Sequence, residues 1–171
     1  LVAVELTRGD SEIVLAKRAG KAVRFKETDA RAMGRTAAGV RGATLEGDED
    51  EVIGMVTVSR PDAEILVVTE KGYGKRTALA DYRLTARGTK GVLTLRITDK
   101  NGPLMAIKQV VDGDELMVIT SSGTLIRVPV SGISRLGRAT QGVHVIRVQG
   151  DDRVAAVAHI ATDEPEGDEE A

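Results

Sequence analysis

The chain has 171 residues, 42% of them hydrophobic, about the length of one ordinary domain with enough apolar material for a packed core. It has no cysteine, two histidines (His144, His159) and three aromatic rings, which argues against disulfides, thiolate or His-built metal sites and a base-stacking single-strand platform. The net charge of −2 hides a basic body: six acids sit in the last nine residues, and without them 24 basic residues face 20 acidic ones.

In chain order, residues 1–6 match residues 53–58 with a shift of 52, so they read as the last strand of a preceding repeat. With no initiator Met, the chain reads as a piece of a longer protein. Ile13-Val14-Leu15 begins a nearly continuous apolar strand, as expected of a central strand covered on both faces. Gly20 makes a hairpin turn, where positive φ costs glycine little. Lys21-Ala22-Val23-Arg24-Phe25-Lys26 is the more polar second strand. Residues 28–33 predict one helical turn, capped by Thr28 or Asp29. A third strand is expected after Gly39. An acid-rich loop (Glu46, Asp48, Glu49, Asp50, Glu51) precedes a fourth, Val52–Val58.

The same series then recurs. It begins at Glu12, Glu64 and Glu115, with turn glycines at Gly20, Gly72 and Gly123. Arginines follow at Arg24, Arg76 and Arg127, then at Arg35, Arg87 and Arg138, and a Gly-Val pair at 39, 91 and 142. Every anchor steps by 52 and then 51 residues, and the last strands are Val52–Val58, Leu104–Val110 and Val154–Ile160. A period near 50 with four strands per unit and no Trp-Asp signature predicts an all-β, propeller-like array of four-stranded blades. The expected divisions are 1–6 as a leading strand, blades 7–58, 59–110 and 111–161, and a disordered acidic tail over 162–171. Three blades fall short of the four to eight of a closed ring, so the ring is incomplete.

No catalytic constellation survives. Lys71-Gly72-Tyr73-Gly74-Lys75-Arg76 has the look of a phosphate loop but lacks Gly-Lys-Ser/Thr and lies in a hairpin. His144 and His159 alternate with apolar residues and read as core or edge histidines. Ser121 and Ser122 read as turn residues. Arg24, Arg76 and Arg127 have two open readings: an ion pair with the repeated Glu of their own blade, or a phosphate contact. Arg35, Arg87 and Arg138 lie in glycine-bounded polar loops, where a guanidinium can grip a phosphate through two parallel bonds. The candidate phosphate-binding set is Arg35, Arg87, Lys90 and Arg138, with Lys75, Arg76, Lys21, Arg24 and Arg127. Such loops, one per blade, would line one rim with cations, a surface for duplex DNA with weak sequence preference. The alternatives are a propeller used as a protein-interaction scaffold and a propeller enzyme, which lacks the acids it would need.

These residues resemble the C-terminal domain of DNA gyrase A. The stretches that carry the resemblance are Glu64-Ile65-Leu66-Val67-Val68-Thr69-Glu70-Lys71-Gly72-Tyr73-Gly74-Lys75-Arg76, Ser121-Ser122-Gly123-Thr124-Leu125-Ile126-Arg127 and Arg138-Ala139-Thr140-Gln141-Gly142-Val143. The resemblance implies a β-pinwheel, whose blades exchange a strand with their neighbour and whose basic edge wraps double-stranded DNA. It also implies partners, the rest of gyrase A and the gyrase B protein in a heterotetramer, in the bacterial cytoplasm at the nucleoid and away from membrane. ATP and magnesium would belong to other parts of that enzyme, leaving this chain with no cofactor and no catalytic residue of its own. The family's Gln-Arg-Arg-Gly-Gly-Lys-Gly box is missing, and Ala86-Arg87-Gly88-Thr89-Lys90-Gly91 looks like its degenerate echo. Arg87 and Lys90 are therefore the carried-over phosphate contacts, and wrapping without the box is expected to be poor. The acidic tail would modulate DNA binding. The equivalent domain of topoisomerase IV is the near alternative.

Overall fold

The computed structural model describes residues 1–60 and 62–161. The tail over 162–171, expected to be disordered, lies outside the described residues. Among the described residues eleven strands form in chain order: β1 Glu12–Lys17, β2 Lys21–Lys26, β3 Val52–Val58, β4 Glu64–Thr69, β5 Tyr73–Ala78, β6 Val92–Leu93, β7 Leu104–Val110, β8 Glu115–Thr120, β9 Leu125–Pro129, β10 Val143–His144 and β11 Val154–Ile160. They build three antiparallel sheets, ordered β3-β1-β2-β6, β7-β4-β5-β10 and β11-β8-β9.

The sheets do not coincide with the repeats. β6 belongs by sequence to the second repeat, yet it pairs with β2 of the first, placing Leu93 opposite Lys21 and Val92 opposite Ala22. β10 of the third repeat likewise pairs with β5, with Val143 opposite Gly74 and His144 opposite Tyr73. The expected four strands per unit therefore become three of its own plus one lent by the next unit. Among the described residues the third sheet has three strands and is lent no outer one. The expected strand after Gly39 does not form, nor does one over residues 1–6. A strand needs a ladder partner, and neither segment has one among the described residues. The helical turn also differs: it is a 3-10 turn over Glu27–Asp29 with no side-chain cap. Equivalent turns occupy Leu79–Asp81 and Val130–Gly132.

Packing explains the apolar runs. The last strands β3, β7 and β11 pack in series and form the hub, which leaves β6 and β10 at the outer rim. Each first strand is central in its sheet. All six residues of β4 are buried because side chains alternate between two covered faces. Ile65 and Val67 face a core with Val14, Val56, Leu79, Leu95 and Leu104. Leu66 and Val68 face a second core with Leu116, Val118, Val130, Ile133 and Ile146. Full burial of each such side chain contributes about 1.5–3 kcal/mol. Both cores include a residue just beyond an exchanged strand (Leu95, Ile146), so strand exchange and blade-to-blade packing are one event. Gly72 shows how close the approach is. Its φ is +78°, and a Cβ there would lie 2.5 Å from the Ile146 carbonyl oxygen.

Candidate nucleic-acid interface

The nine candidate cations separate into two groups. The strand residues are used internally. Arg24 Nε donates to Glu12 at 2.7 Å, and its Nη1 donates to the carbonyls of Leu79 and Tyr82 at 2.9 and 2.8 Å. Arg76 repeats this one blade on: Nε donates to the Ile133 carbonyl at 2.8 Å, while Nη1 donates to Glu64 at 2.8 Å and also reaches Asp112. Arg135 reaches the other oxygen of Glu64 at 2.6 Å. Of the two open readings, the pair with the repeated Glu is the one formed, extended into a clamp on the next repeat's 3-10 turn. Arg24 and Arg76 are thus withdrawn from any phosphate surface. Arg127 pairs with Glu115 in the same way but stays exposed.

Lys75 is turned inward like Arg76, and Lys21, still part-exposed, is paired. Lys75 has no exposed surface, and its ammonium donates to the Gly137 carbonyl. Burial, reinforced by the nearby Arg138 charge and opposed by Asp81, pushes its pKa down to about 8. Lys21 sits on Glu46, 2.7 Å away. Two acids of the acid-rich loop turn inward here, while Asp48, Glu49 and Glu51 stay exposed. Its Glu46 and Asp50 lie 3.3 and 3.2 Å from Lys17, a fully buried lysine that sequence patterning hides inside an apolar strand. The hydrogen bond from Lys21 leads in holding the Glu46 carboxyl below its usual range. Burial pushes the Asp50 carboxyl up. The amides of Ala19 and Glu46 and the Lys17 ammonium more than offset this, and the net shift is downward.

The loop cations form the second group. Arg87 Nη1 donates to the Arg41 carbonyl at 3.0 Å, and Nε donates to the Asp29 carbonyl at 2.9 Å. Arg138 Nη1 donates to the Leu93 carbonyl at 3.0 Å. Residues 41 and 93 are the same position of successive repeats, so both loops are docked alike on the preceding repeat beside the rim. A carbonyl orients a guanidinium without cancelling its charge, and neither arginine has a carboxylate partner among the described residues. Arg35 and Lys90 are exposed and make no hydrogen bond or ion pair among the described residues. The side chains of Arg31, Arg83, Arg96 and Arg147 are likewise exposed and without such a partner among the described residues. Those four were missed in the sequence. The signal was there: Arg31 and Arg83 are 52 apart, and Arg96 and Arg147 are 51 apart, the step of the repeat itself. Arg96 directly follows the strand-exchange segment, and its amide donates to the Thr140 carbonyl at 2.9 Å. Among the described residues these loops carry cations without a carboxylate partner, several of them recurring at the step of the repeat, a pattern that suits a polyanion.

The remaining candidates are structural. The Tyr82 hydroxyl is buried against Thr94, and burial raises its pKa. Tyr73 stacks on His144 at the rim, ring centroids 4.1 Å apart, with Lys100 Nζ 5.6 Å from the Tyr73 ring centre. Ser121 and Ser122 form the β8–β9 turn and donate to Asp152, whose carboxyl those hydroxyls hold well below its usual range. His159 bonds Asp114 at 2.7 Å.

A sequence model of the DNA gyrase C-terminal domain, described as a β-propeller, matches residues 12–59, 63–110 and 114–161. The DNA gyrase A protein of Klebsiella oxytoca is 49% identical over 170 residues, covering 99% of this chain and 19% of the relative. That of Staphylococcus aureus strain MRSA252 is 44% identical over 171 residues, again covering 99% and 19%. The chain thus spans about a fifth of the length of these relatives. Among solved structures, the C-terminal domain of DNA topoisomerase IV superposes with a TM-score of 0.86 at 27% identity, over 92% of this chain and 49% of the other. The DNA gyrase A C-terminal domain gives 0.82 at 24%, over 89% and 51%, a likeness of fold.

Proposed function

Because the chain belongs to the DNA gyrase C-terminal domain family, we propose that it binds double-stranded DNA through the phosphate backbone along its outer rim, as a module of gyrase A. The observation that carries this reading is the recurrence of cations that have no carboxylate partner among the described residues: Arg87, Lys90, Arg96, Arg138 and Arg147 beside the exchanged strands, and Arg35 at the equivalent loop position of the first repeat. The interval of the repeat sets their spacing, and a polyanion with its own regular charge spacing is the ligand that uses it. Contacts of this kind carry no base information, so binding is sequence-tolerant and steeply salt-dependent.

The finer reading is that the rim bends DNA and supports negative supercoiling by an enzyme containing the rest of gyrase A together with gyrase B. Bending 20–30 base pairs costs about 1–6 kcal/mol, which several phosphate contacts offset together. We assign ATP and magnesium to that remainder, and the site of action to the bacterial cytoplasm at the nucleoid. The gyrase A relatives at 44–49% identity over nearly the whole chain support this assignment.

The test is a mobility shift with linear duplex DNA across a salt series. Replacing Lys90 by Ala is expected to lower the slope of log K against log salt by about 0.9, and Arg87→Ala with it by about 1.8. Arg76→Ala, checked for folding, is the control expected to leave the slope unchanged. A slope indifferent to Lys90 and Arg87 overturns the rim assignment.

A further inference from the structure

Asn101, just before β7, has no exposed surface, and both ends of its side-chain amide are engaged. Its Oδ1 accepts from the Thr98 amide at 2.7 Å and from the Thr98 hydroxyl at 3.1 Å. Its Nδ2 donates to the Arg96 carbonyl at 2.8 Å and to the Gln141 carbonyl at 3.0 Å. The partners fix which end is which, because a backbone amide only donates and a carbonyl only accepts. Three of the four bonds are local. They close the turn over residues 96–102, together with the Gly102 amide, which donates to the Thr98 carbonyl at 2.9 Å. The fourth leaves the repeat: Gln141 is 40 residues further on, in the loop that runs into β10.

That fourth bond belongs to a seam. Arg138 Nη1 donates to the Leu93 carbonyl at 3.0 Å, the Arg96 amide donates to the Thr140 carbonyl at 2.9 Å, and Asn101 donates to the Gln141 carbonyl. Residues 93–101 of one repeat and 138–141 of the next are therefore tied side by side. Each side carries a cation of the proposed rim, Arg96 on one and Arg138 on the other. Asn101 ties them from a buried position, where breaking a bond leaves a donor unpaired away from water. The residue type matters. Asp50 and Asp152 stand just before β3 and β11, as Asn101 stands just before β7. They accept the amides of Ala19 and Ser122 in their own hairpins, each at 3.0 Å. An ionised carboxylate has no N–H, so of these three residues only the asparagine can hold a carbonyl of the next repeat.

We infer that Asn101 is a positioning residue of the DNA interface: by joining the Arg96 turn to the Gln141 loop, it fixes the interval between the Arg96 and Arg138 guanidiniums. It touches no DNA itself, and the inference rests on the rim reading above. Phosphates have a set spacing along the duplex. Two cations engage them together most readily when their own separation is set beforehand, because loops ordered only on binding lose affinity to that ordering.

Two readouts test it. The first is hydrogen exchange without DNA. Asn101→Ala, and Asn101→Asp, which keeps an acceptor for Thr98 but lacks both donors, are each expected to speed exchange of the Arg96 amide by about tenfold or more. The Leu66 amide in β4 is expected to stay slow in both, which shows the sheet intact. The second is the mobility shift of linear duplex DNA across a salt series. Asn101→Ala is expected to lower the slope of log K against log salt by up to about 0.9, as when one phosphate contact is lost. In a chain that already carries Arg96→Ala and Arg138→Ala, it is expected to lower the slope no further. A merely structural role would act equally in both backgrounds. Unchanged exchange at Arg96 overturns the seam, and with it the proposal. An equal effect in both backgrounds, or none in either, also overturns the proposal, while the rim reading stands if Arg96→Ala and Arg138→Ala lower the slope by themselves. If those two replacements leave the slope unchanged, Arg96 and Arg138 are not phosphate contacts, and the rim reading at those positions fails together with the proposal.

Discussion

Arg76 and Arg127 occupy the same position of successive repeats and pair with the same glutamate of their own sheet. Their side chains are nevertheless 10% and 62% exposed. The difference is the neighbour. In the second sheet, the segment after the 3-10 turn over Val130–Gly132 lies against Arg76, whose backbone bonds Ser134 and Leu136, and the Ile133 carbonyl and Arg135 complete the network around the buried Arg76–Glu64 pair. In the third sheet nothing among the described residues covers Arg127. The two residues show that a sequence signal repeated faithfully does not carry a fixed energetic value. An exposed ion pair contributes little, whereas breaking a buried one strands its partner charge.

The largest effect that sharpens this contrast is deletion of the two guanidiniums. Arg76→Ala is expected to destabilise by about 3–5 kcal/mol, because Glu64 is left buried with less compensation. Arg127→Ala is expected to cost under about 1 kcal/mol. Urea unfolding of both checks it, and equal losses would break the comparison. The turn glycines give the next effect. Gly72→Ala meets both a left-handed backbone and the Ile146 carbonyl, so about 2–4 kcal/mol is expected. Gly123→Ala meets the backbone term alone, about 1–2 kcal/mol. The smallest effect concerns Lys75, whose third-repeat counterpart is Ile126. The folded pKa, near 8, lies below the ordinary 10.5. Between these values the unfolded chain binds more protons, so this group makes stability rise with pH across roughly pH 8 to 10.5, and its penalty is fully present below pH 8. Lys75→Met is expected to gain about 1–3 kcal/mol at pH 7 and to lose that rise. Thermal unfolding of both proteins at pH 7 and pH 10 measures the difference, and parallel pH profiles would contradict it.

Much of the fold was legible because the repeat triples every signal. The anchors at Glu12, Gly20 and Arg24 and their copies located each hairpin, and the unbroken apolar run Ile65-Leu66-Val67-Val68 announced a strand covered on both faces. The strand after Gly91 was also legible as a strand, but residues alone do not say which sheet receives it; its pinwheel exchange came only with the family resemblance. The candidate site was half legible. Arg87, Lys90, Arg138 and Arg35 have no carboxylate partner among the described residues, whereas Lys75, Arg76 and Arg24 read as equally cationic and turned out to face inward. Period-two alternation distinguishes faces of a strand but not which face a neighbouring blade will cover.

The sequence by itself determined the unit: its length near 50 residues, its turns, its central apolar strand and its glutamate–arginine pair, all set by local backbone preference and alternation. Only the tertiary structure decided which copies of each residue are buried, because burial here depends on contact with the next unit. That contact lies 50 or more residues away in the chain, and it assigns identical side chains to a structural clamp in one blade and to solvent in another.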